Sequence, residues 1–218
     1  MKASDDKYIP ALSYDWLTSI YDPVARLTTR EAEFKSALIR QAGIADGHRV
    51  LDLGCGTGTL AITVKQKVPG CKMVGLDGDP AILKQANVKA RNAGVEIVFD
   101  QGMSFALVYA DSMFDHVLSS LFFHHLKREN KLKTLAEIHR VLKPGGELHI
   151  ADWGMPDNLL MQVGSFLVQK FDGVETTADS FHGLLPQFIA QMGFMLVEET
   201  QHFNSLFGTI RLLRAKKP

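Results

Sequence analysis

From Val50 onward the chain alternates short apolar, β-rich runs with longer amphipathic stretches. The runs "RVLDLG", "CKMVGLD", "VEIVFDQG", "FDHVLSSL" and "GELHIAD" read as strands. Crossover helices between them predict a parallel sheet. "TGTLAITVKQKVPG" starts after glycines and stops at Pro-Gly, while "DPAILKQANVKARNAG" has Asp79 as N-cap, Pro80 at the first helical position and Gly94 at the stop. "KRENKLKTLAEIHRVLKPGG" places Leu132, Leu135, His139 and Leu142 on one helical face, and Leu126 is expected to open that helix.

After Trp153 the rhythm changes. "DNLLMQVGSFLVQKF" and "SFHGLLPQFIAQMG" read as two helices joined by a polar turn, "DGVETTADS". "FMLVEETQHF" and "GTIRLLRA" then read as a closing antiparallel hairpin at the sheet edge. Residues 1–45 read as helix only, most clearly in "REAEFKSALIRQAG". No repeat or linker divides the chain, so residues 1–218 are expected to form one domain.

Charge narrows the class of partner. Lys+Arg and Asp+Glu both number 24, leaving no electrostatic footprint for nucleic acid. The first residues, "MKASDDKYIP", lack the apolar core of a signal peptide, and no apolar run is long enough to span a membrane. A cytoplasmic location is expected. Cys55 and Cys71 have no companions at metal-ligand spacing, so neither a disulfide framework nor a metal site is assigned.

The chemistry concentrates in "VLDLGCGTG", Val50 to Gly58. A dinucleotide fingerprint needs G-x-G-x-x-G; Gly54 and Gly56 fill the first two places, but Thr59 stands at the third and Gly58 comes one residue early. Asp52 would also repel a pyrophosphate and attract a cation. S-adenosylmethionine carries an ammonium and a sulfonium and has no phosphate. A nicotinamide-dependent oxidoreductase is the rival enzyme class, and a domain binding S-adenosylmethionine weakly or without catalysis is the rival outside enzymology.

Four ordered segments, "VLDLGCGTG", "VGLDGDP", "FDHVLSSLFFHHL" and "RVLKPGGEL", resemble the motifs of class I S-adenosylmethionine-dependent methyltransferases, within the small-molecule branch that includes the ubiquinone/menaquinone biosynthesis enzymes. The resemblance implies an α/β, Rossmann-like doubly wound fold, with a seven-stranded, mostly parallel sheet, an antiparallel C-terminal hairpin strand and an N-terminal helical lid. Residues 1–45 would be the lid region, 48–153 the cofactor-binding core, and 154–218 a helical insert with the closing strands.

It further implies direct in-line methyl transfer from S-adenosylmethionine, with S-adenosylhomocysteine as product, to a small acceptor whose O, N or C atom is left open. Oligomeric state is left open as monomer or homodimer. Asp52, Gly54, Cys55 and Gly56 would face the methionine end, with Cys55 in packing or backbone contact. Asp77 would accept both ribose hydroxyls unless it merely caps the next helix, and Gly78 would border the adenine. Met103 stands where the family usually has an acid for the adenine amino group; it would give soft contact, with Ser104 offering a donor and Asp100 or Gln101 compensating.

Ser119, Ser120 and Leu121 would reach the same sheet edge, with backbone carbonyls near Leu121 on the methionine ammonium. His124 or His125 would serve as a base for a phenol or acidic carbon, or else cap and pack the turn; an adjacent pair is expected to point only one ring at the pocket. Asp152 and Trp153 would shape the acceptor side. Tyr14, Trp16 and Tyr21 would belong to a lid closing over the cofactor, with Tyr21 in contact with it, or to a helix filling a core gap.

Overall fold

A computed structural model describes residues 30–205 and 207–218. The expected lid, with Tyr14, Trp16 and Tyr21, lies outside these residues. The described chain opens with helix α1 (Glu31–Ala42), which buries Phe34, Ala37, Leu38 and Ala42. That spacing forms one helical face, and burying a large apolar side chain contributes about 1.5–3 kcal/mol.

Strands β1 (Arg49–Leu53), β2 (Lys72–Asp77), β3 (Val98–Gln101), β4 (Phe114–Ser120) and β5 (Leu142–Gly154) form the parallel part of the sheet. Helices α2 (Thr59–Lys67), α3 (Pro80–Asn92) and α4 (Arg128–Val141) are crossovers. Asp79 caps α3 as expected, its carboxylate accepting the Ala81 amide at 2.7 Å, with Pro80 next to it. Three helices follow β5: α5 (Leu159–Asp172), α6 (Val174–Phe181) and α7 (Leu185–Gln191). Strands β6 (Met195–Ser205) and β7 (Gly208–Lys216) close the chain.

Strand order is β3-β2-β1-β4-β5-β7-β6, with β7 antiparallel to both β5 and β6. The seven-stranded doubly wound α/β sheet with its closing hairpin is therefore present, and β7 rather than the edge strand is the reversed one. Strand β5 starts earlier than "GELHIAD": Leu142 pairs with Phe114, and the register then shifts so that His116 meets Glu147, with residues 143–146 bulged between the two pairs. The segment expected as a polar turn is the helix α6: Thr176 and Thr177 bond back to the Gly173 carbonyl at 3.1 and 2.7 Å, giving the helix its own start.

The face of α4 also differs from expectation. Its buried residues are Lys131, Thr134, Leu135, Ile138 and Val141, whereas Leu132 is only partly buried. Lys131 displaces Leu132 inward because it has a partner. Its Nζ donates to the Thr176 carbonyl at 2.6 Å and stands 3.4 Å from Asp179 Oδ2, while Arg128 pairs with the same carboxylate. This charge cluster holds α6 over the turn that follows β4.

Removing one partner of a buried pair strands the other charge. Asp179→Ala is expected to lower unfolding free energy by about 3–5 kcal/mol in urea titration, and Lys131→Met in the same background is expected to recover most of the loss.

Candidate active site

The parallel strands end together, and the glycine loop leaves β1 at the point where strand order reverses, the place where open α/β sheets bind ligands. Gly54 has φ 70°, and a Cβ on it would lie 2.3 Å from the Phe122 ring. Only glycine lets the β4 exit pack against the loop. Gly56 has φ 52°, but nothing lies within 4 Å of its would-be Cβ, so here the backbone is bare toward open space. The amides of Gly54 and Cys55 both donate to the Leu76 carbonyl, at 2.9 and 3.0 Å, which stitches the loop to β2.

Two acids flank the loop. Asp52 is 1% exposed and accepts the Ala61 amide at 3.1 Å, in the first turn of α2. Burial pushes its pKa up to about 7, against the Lys35 charge and that hydrogen bond. Asp77 accepts the amides of Gly56 at 2.9 Å and Asp79 at 3.0 Å. Its pKa is also raised, chiefly by burial. Two under-compensated carboxylates beside a partly exposed glycine suit a ligand bringing positive charge and hydroxyl donors, and they disfavour a pyrophosphate. S-adenosylmethionine has those groups, so the residues present fit it.

On the adenine side the Ser104 hydroxyl is buried and lies 2.8 Å from Thr134 Oγ1, so it faces α4; of the two donors expected of Ser104, hydroxyl or backbone amide, this one is engaged inside the fold. Asp100 accepts the Tyr109 hydroxyl at 2.9 Å, and exposed Gln101 reaches the Gly78 carbonyl at 3.4 Å. Met103 and Gly78 remain partly exposed at the same edge. Ser119 is fully buried, and its hydroxyl donates to the Leu53 carbonyl at 3.0 Å, fastening β4 to β1 inside the sheet. The Cys55 thiol is buried and its pKa strongly raised by burial and then by the charges of Asp52 and Asp77, which leaves it a packing group.

Beyond β4 the chain turns sharply. Leu121 takes φ 53°, a strained value for a leucine, and its amide donates to the Ala151 carbonyl at 2.8 Å. Phe123–His125 then form a 3₁₀ turn, so α4 starts at Arg128 and not at Leu126. That turn wraps around Asp152, at the end of β5. One Asp152 oxygen accepts the Phe122 and Phe123 amides at 3.1 and 2.6 Å; the other accepts the Trp153 amide at 2.7 Å and stands 2.6 Å from His124 Nδ1.

Burial alone would raise the Asp152 pKa, but the charge and hydrogen bond of His124 and the Trp153 amide bring it below the ordinary value. An ionised Asp152 fixes the Nδ1–H tautomer of His124, which makes Nε2 the proton-accepting nitrogen. The two histidine rings lie 3.9 Å apart and tilted by 44°, side by side, because the tight turn overrides the divergence expected of adjacent residues. Burial, followed by the His124 charge, pushes His125 down to about 3, so it is neutral near pH 7. The anchoring role of Asp152 could not be read from "ADW" alone, since its partners lie some thirty residues earlier.

Residues 50–146 match the methyltransferase domain family. The chain is 26% identical over 204 residues to a Synechocystis protein named an uncharacterized methyltransferase, covering 93% of this chain and 92% of that one. It is 30% identical over 183 residues to the ubiquinone/menaquinone biosynthesis C-methyltransferase UbiE of Blochmanniella floridana, covering 82% of this chain and 65% of that one. The solved structure of the Bacillus subtilis YcgJ protein shares the fold with a TM-score of 0.72 at 19% identity, covering 84% of this chain and 97% of that one. With the glycine loop, the two acids and the β4 exit in place, the chain carries a methyltransferase domain and resembles the class I S-adenosylmethionine-dependent methyltransferases of the quinone-biosynthesis branch.

Proposed function

We propose that this methyltransferase acts on a small, apolar or aromatic metabolite carrying a phenol or acidic carbon, and that His124, oriented by Asp152, manages the acceptor proton. The observation that carries the reading is the buried His124–Asp152 pair at 2.6 Å, its carboxylate held by backbone amides of the turn that follows β4. The name of the UbiE relative points the same way, to carbon methylation in ubiquinone and menaquinone biosynthesis. Such a ring must lose a proton to become nucleophilic or aromatic again, and His124 Nε2 is the group to receive it.

Bound S-adenosylmethionine supplies an activated methyl on a sulfonium. This chain's residues bind, orient and exclude water. Asp77 would hold the ribose hydroxyls, Asp52 the cationic end through the loop, and carbonyls near Leu121 the ammonium; Gly56 and Gly78 would leave the space, and Met103 would lie against the adenine. A cavity of about 130 Å³ beside Asp152, lined also by Trp153, Ser180, Leu185 and Arg211, would be the acceptor side, with α6 and α7 as its wall. Among the described residues no helix is long and apolar enough to cross a membrane. Equal numbers of acidic and basic residues favour a metabolite over nucleic acid as partner, and a cytoplasmic setting suits two free cysteines.

Calorimetric titration with S-adenosylmethionine, S-adenosylhomocysteine and NAD tests the cofactor reading; binding of NAD alone would overturn it. Asp77→Ala is expected to weaken cofactor binding by about tenfold to hundredfold, the worth of hydrogen bonds to a charged group, with melting temperature retained.

Asp52 adds a pH dependence. Its carboxyl titrates at about 7, and the cationic cofactor prefers the ionised form, so affinity should rise as pH rises through about 7 and level off above it. Asp52→Asn is expected to flatten that profile. The same raised pKa stabilises the cofactor-free fold below the ordinary carboxylate range and loses that stabilisation as pH rises through about 7, a trend that melting curves of the Asn variant should lack.

With a phenolic quinone precursor as acceptor, His124→Ala is expected to lower kcat by about 10²–10⁴ while leaving calorimetric cofactor affinity within a factor of about three. An unchanged kcat would remove His124 from the chemistry.

A further inference from the structure

The opposite edge of the sheet carries a second cluster of chemistry-bearing side chains. His116 stands near the start of β4, and Glu147 and His149 stand on β5, with His116 paired to Glu147 in the register. Because side chains alternate along a strand, His116, Glu147 and His149 project from the same face. That face is covered by α1, whose Gln41 reaches His149. One ligand atom from each of the three lies within 4.8 Å of the others. The cluster is about 13 Å along β4 from Ser120, the end that faces the cofactor crevice.

The hydrogen bonds around the cluster fix its tautomers. The Ala45 amide donates to His48 Nδ1 at 3.2 Å, so that nitrogen is an acceptor. His116 Nε2, 3.0 Å from it, must then be the donor. The proton of neutral His116 sits on Nε2, which leaves a bare lone pair on Nδ1. Nδ1 is buried and has no hydrogen-bond partner. His149 is fully buried, and its Nε2 also lacks one: Glu147 Oε2 is 3.3 Å away but off the line of an N–H bond. Two buried imidazole nitrogens without partners beside a carboxylate form a costly arrangement unless something sits among them.

We infer that His116, His149 and Glu147 form a binding site for a divalent transition-metal ion of the zinc type, tying β4 to β5 at the edge away from the cofactor. Two imidazoles and one carboxylate form a common zinc donor set, with water in the fourth position. His48 supplies the supporting hydrogen bond that metal-ligating histidines need on their other nitrogen. Burial, followed by the charges of His149 and His48, pushes the His116 pKa down to about 4, so its ring is neutral at physiological pH.

Ligand atoms around tetrahedral zinc lie about 3.3 Å apart, closer than the widest spacing here. Glu147, whose side chain is 27% exposed, has the freedom to close that distance. Ligation through His149 Nε2 puts the His149 proton on Nδ1. Gln41 Nε2, which lies 3.1 Å from Nδ1 and donates to the Leu213 carbonyl at 3.0 Å, must then turn its amide. The ion must offset the lost Leu213 bond and the disturbance of the Thr200 hydroxyl, which donates to Gln41 Oε1. A single water, accepting from His149 Nε2–H and donating to His116 Nδ1 and Glu147, is the competing occupant.

The test is a titration of chelator-stripped protein with Co²⁺, followed by the visible absorption of the tetrahedral ion, and with Zn²⁺, followed by melting temperature. One equivalent of Co²⁺ displaced by Zn²⁺, and a melting temperature raised by Zn²⁺, are expected for the wild-type chain. Glu147→Gln keeps the strand pairing and the charge of neither histidine changes; it is expected to weaken metal binding by about tenfold or more and to abolish the Zn²⁺-dependent rise in melting temperature while S-adenosylmethionine still binds. Absence of a tetrahedral Co²⁺ spectrum in the wild type, or equal metal affinity in Glu147→Gln, would overturn the site and leave water as its occupant.

Discussion

Strand β1 is bonded on both edges by parallel neighbours whose connections leave in opposite directions, and this reversal opens a gap at its carboxyl end. Every part of the candidate active site follows from that gap. The glycine loop must turn from β1 into α2 without filling it, and the β4 exit must close its far wall. Phe122 meets Gly54 where those two segments touch, which is why one position tolerates no side chain. Leu121 accepts a strained φ there because its amide is tied to β5. Local strain is held by the sheet and spent on geometry at the crevice.

Three acids, Asp52 and Asp152 buried and Asp77 partly so, face this region, and their environments divide them. Asp152 has enough donors around it to stay ionised despite complete burial, so it can orient a histidine without changing state. Asp52 and Asp77 have too few, and their pKa values rise. A carboxylate that is already satisfied gains little from a cationic ligand; one that is not gains much. The same residue type thus serves as a fixed support on the acceptor side and as cofactor recognition on the other, with hydrogen-bond supply as the deciding variable.

Much of the frame was legible because its signals are local. Strand and helix alternation, the Asp79-Pro80 helix start and the glycine loop each depend on a few neighbouring residues, and Asp52 stood out because its charge conflicts with a phosphate. What was illegible depended on distant partners. Lys131 is buried where Leu132 was expected because Asp179, on a helix read as a turn, meets its ammonium. Ser104 and Ser119 were read as cofactor contacts, yet Thr134 and Leu53 engage their hydroxyls. A small polar side chain near a strand end has two ways to satisfy itself, and only tertiary pairing chooses between them.

The two ends of the sheet illustrate the same rule from opposite directions. At the carboxyl ends, loops leave backbone groups and acids open toward a ligand, and the order of motifs along the chain is enough to find them. At the other end, His48, His116 and His149 come from three separate strands or strand starts, and no spacing along the sequence links them. They meet because β4 lies between β1 and β5, so the strand order that opens the cofactor crevice also gathers these rings beneath α1. Burying the two imidazoles of His116 and His149 is costly without donors, acceptors or an ion to pair them. The hydrogen bonds from Ala45 and Gln41 meet part of that demand, and the unpartnered nitrogens of His116 and His149 mark the part that an occupant must meet.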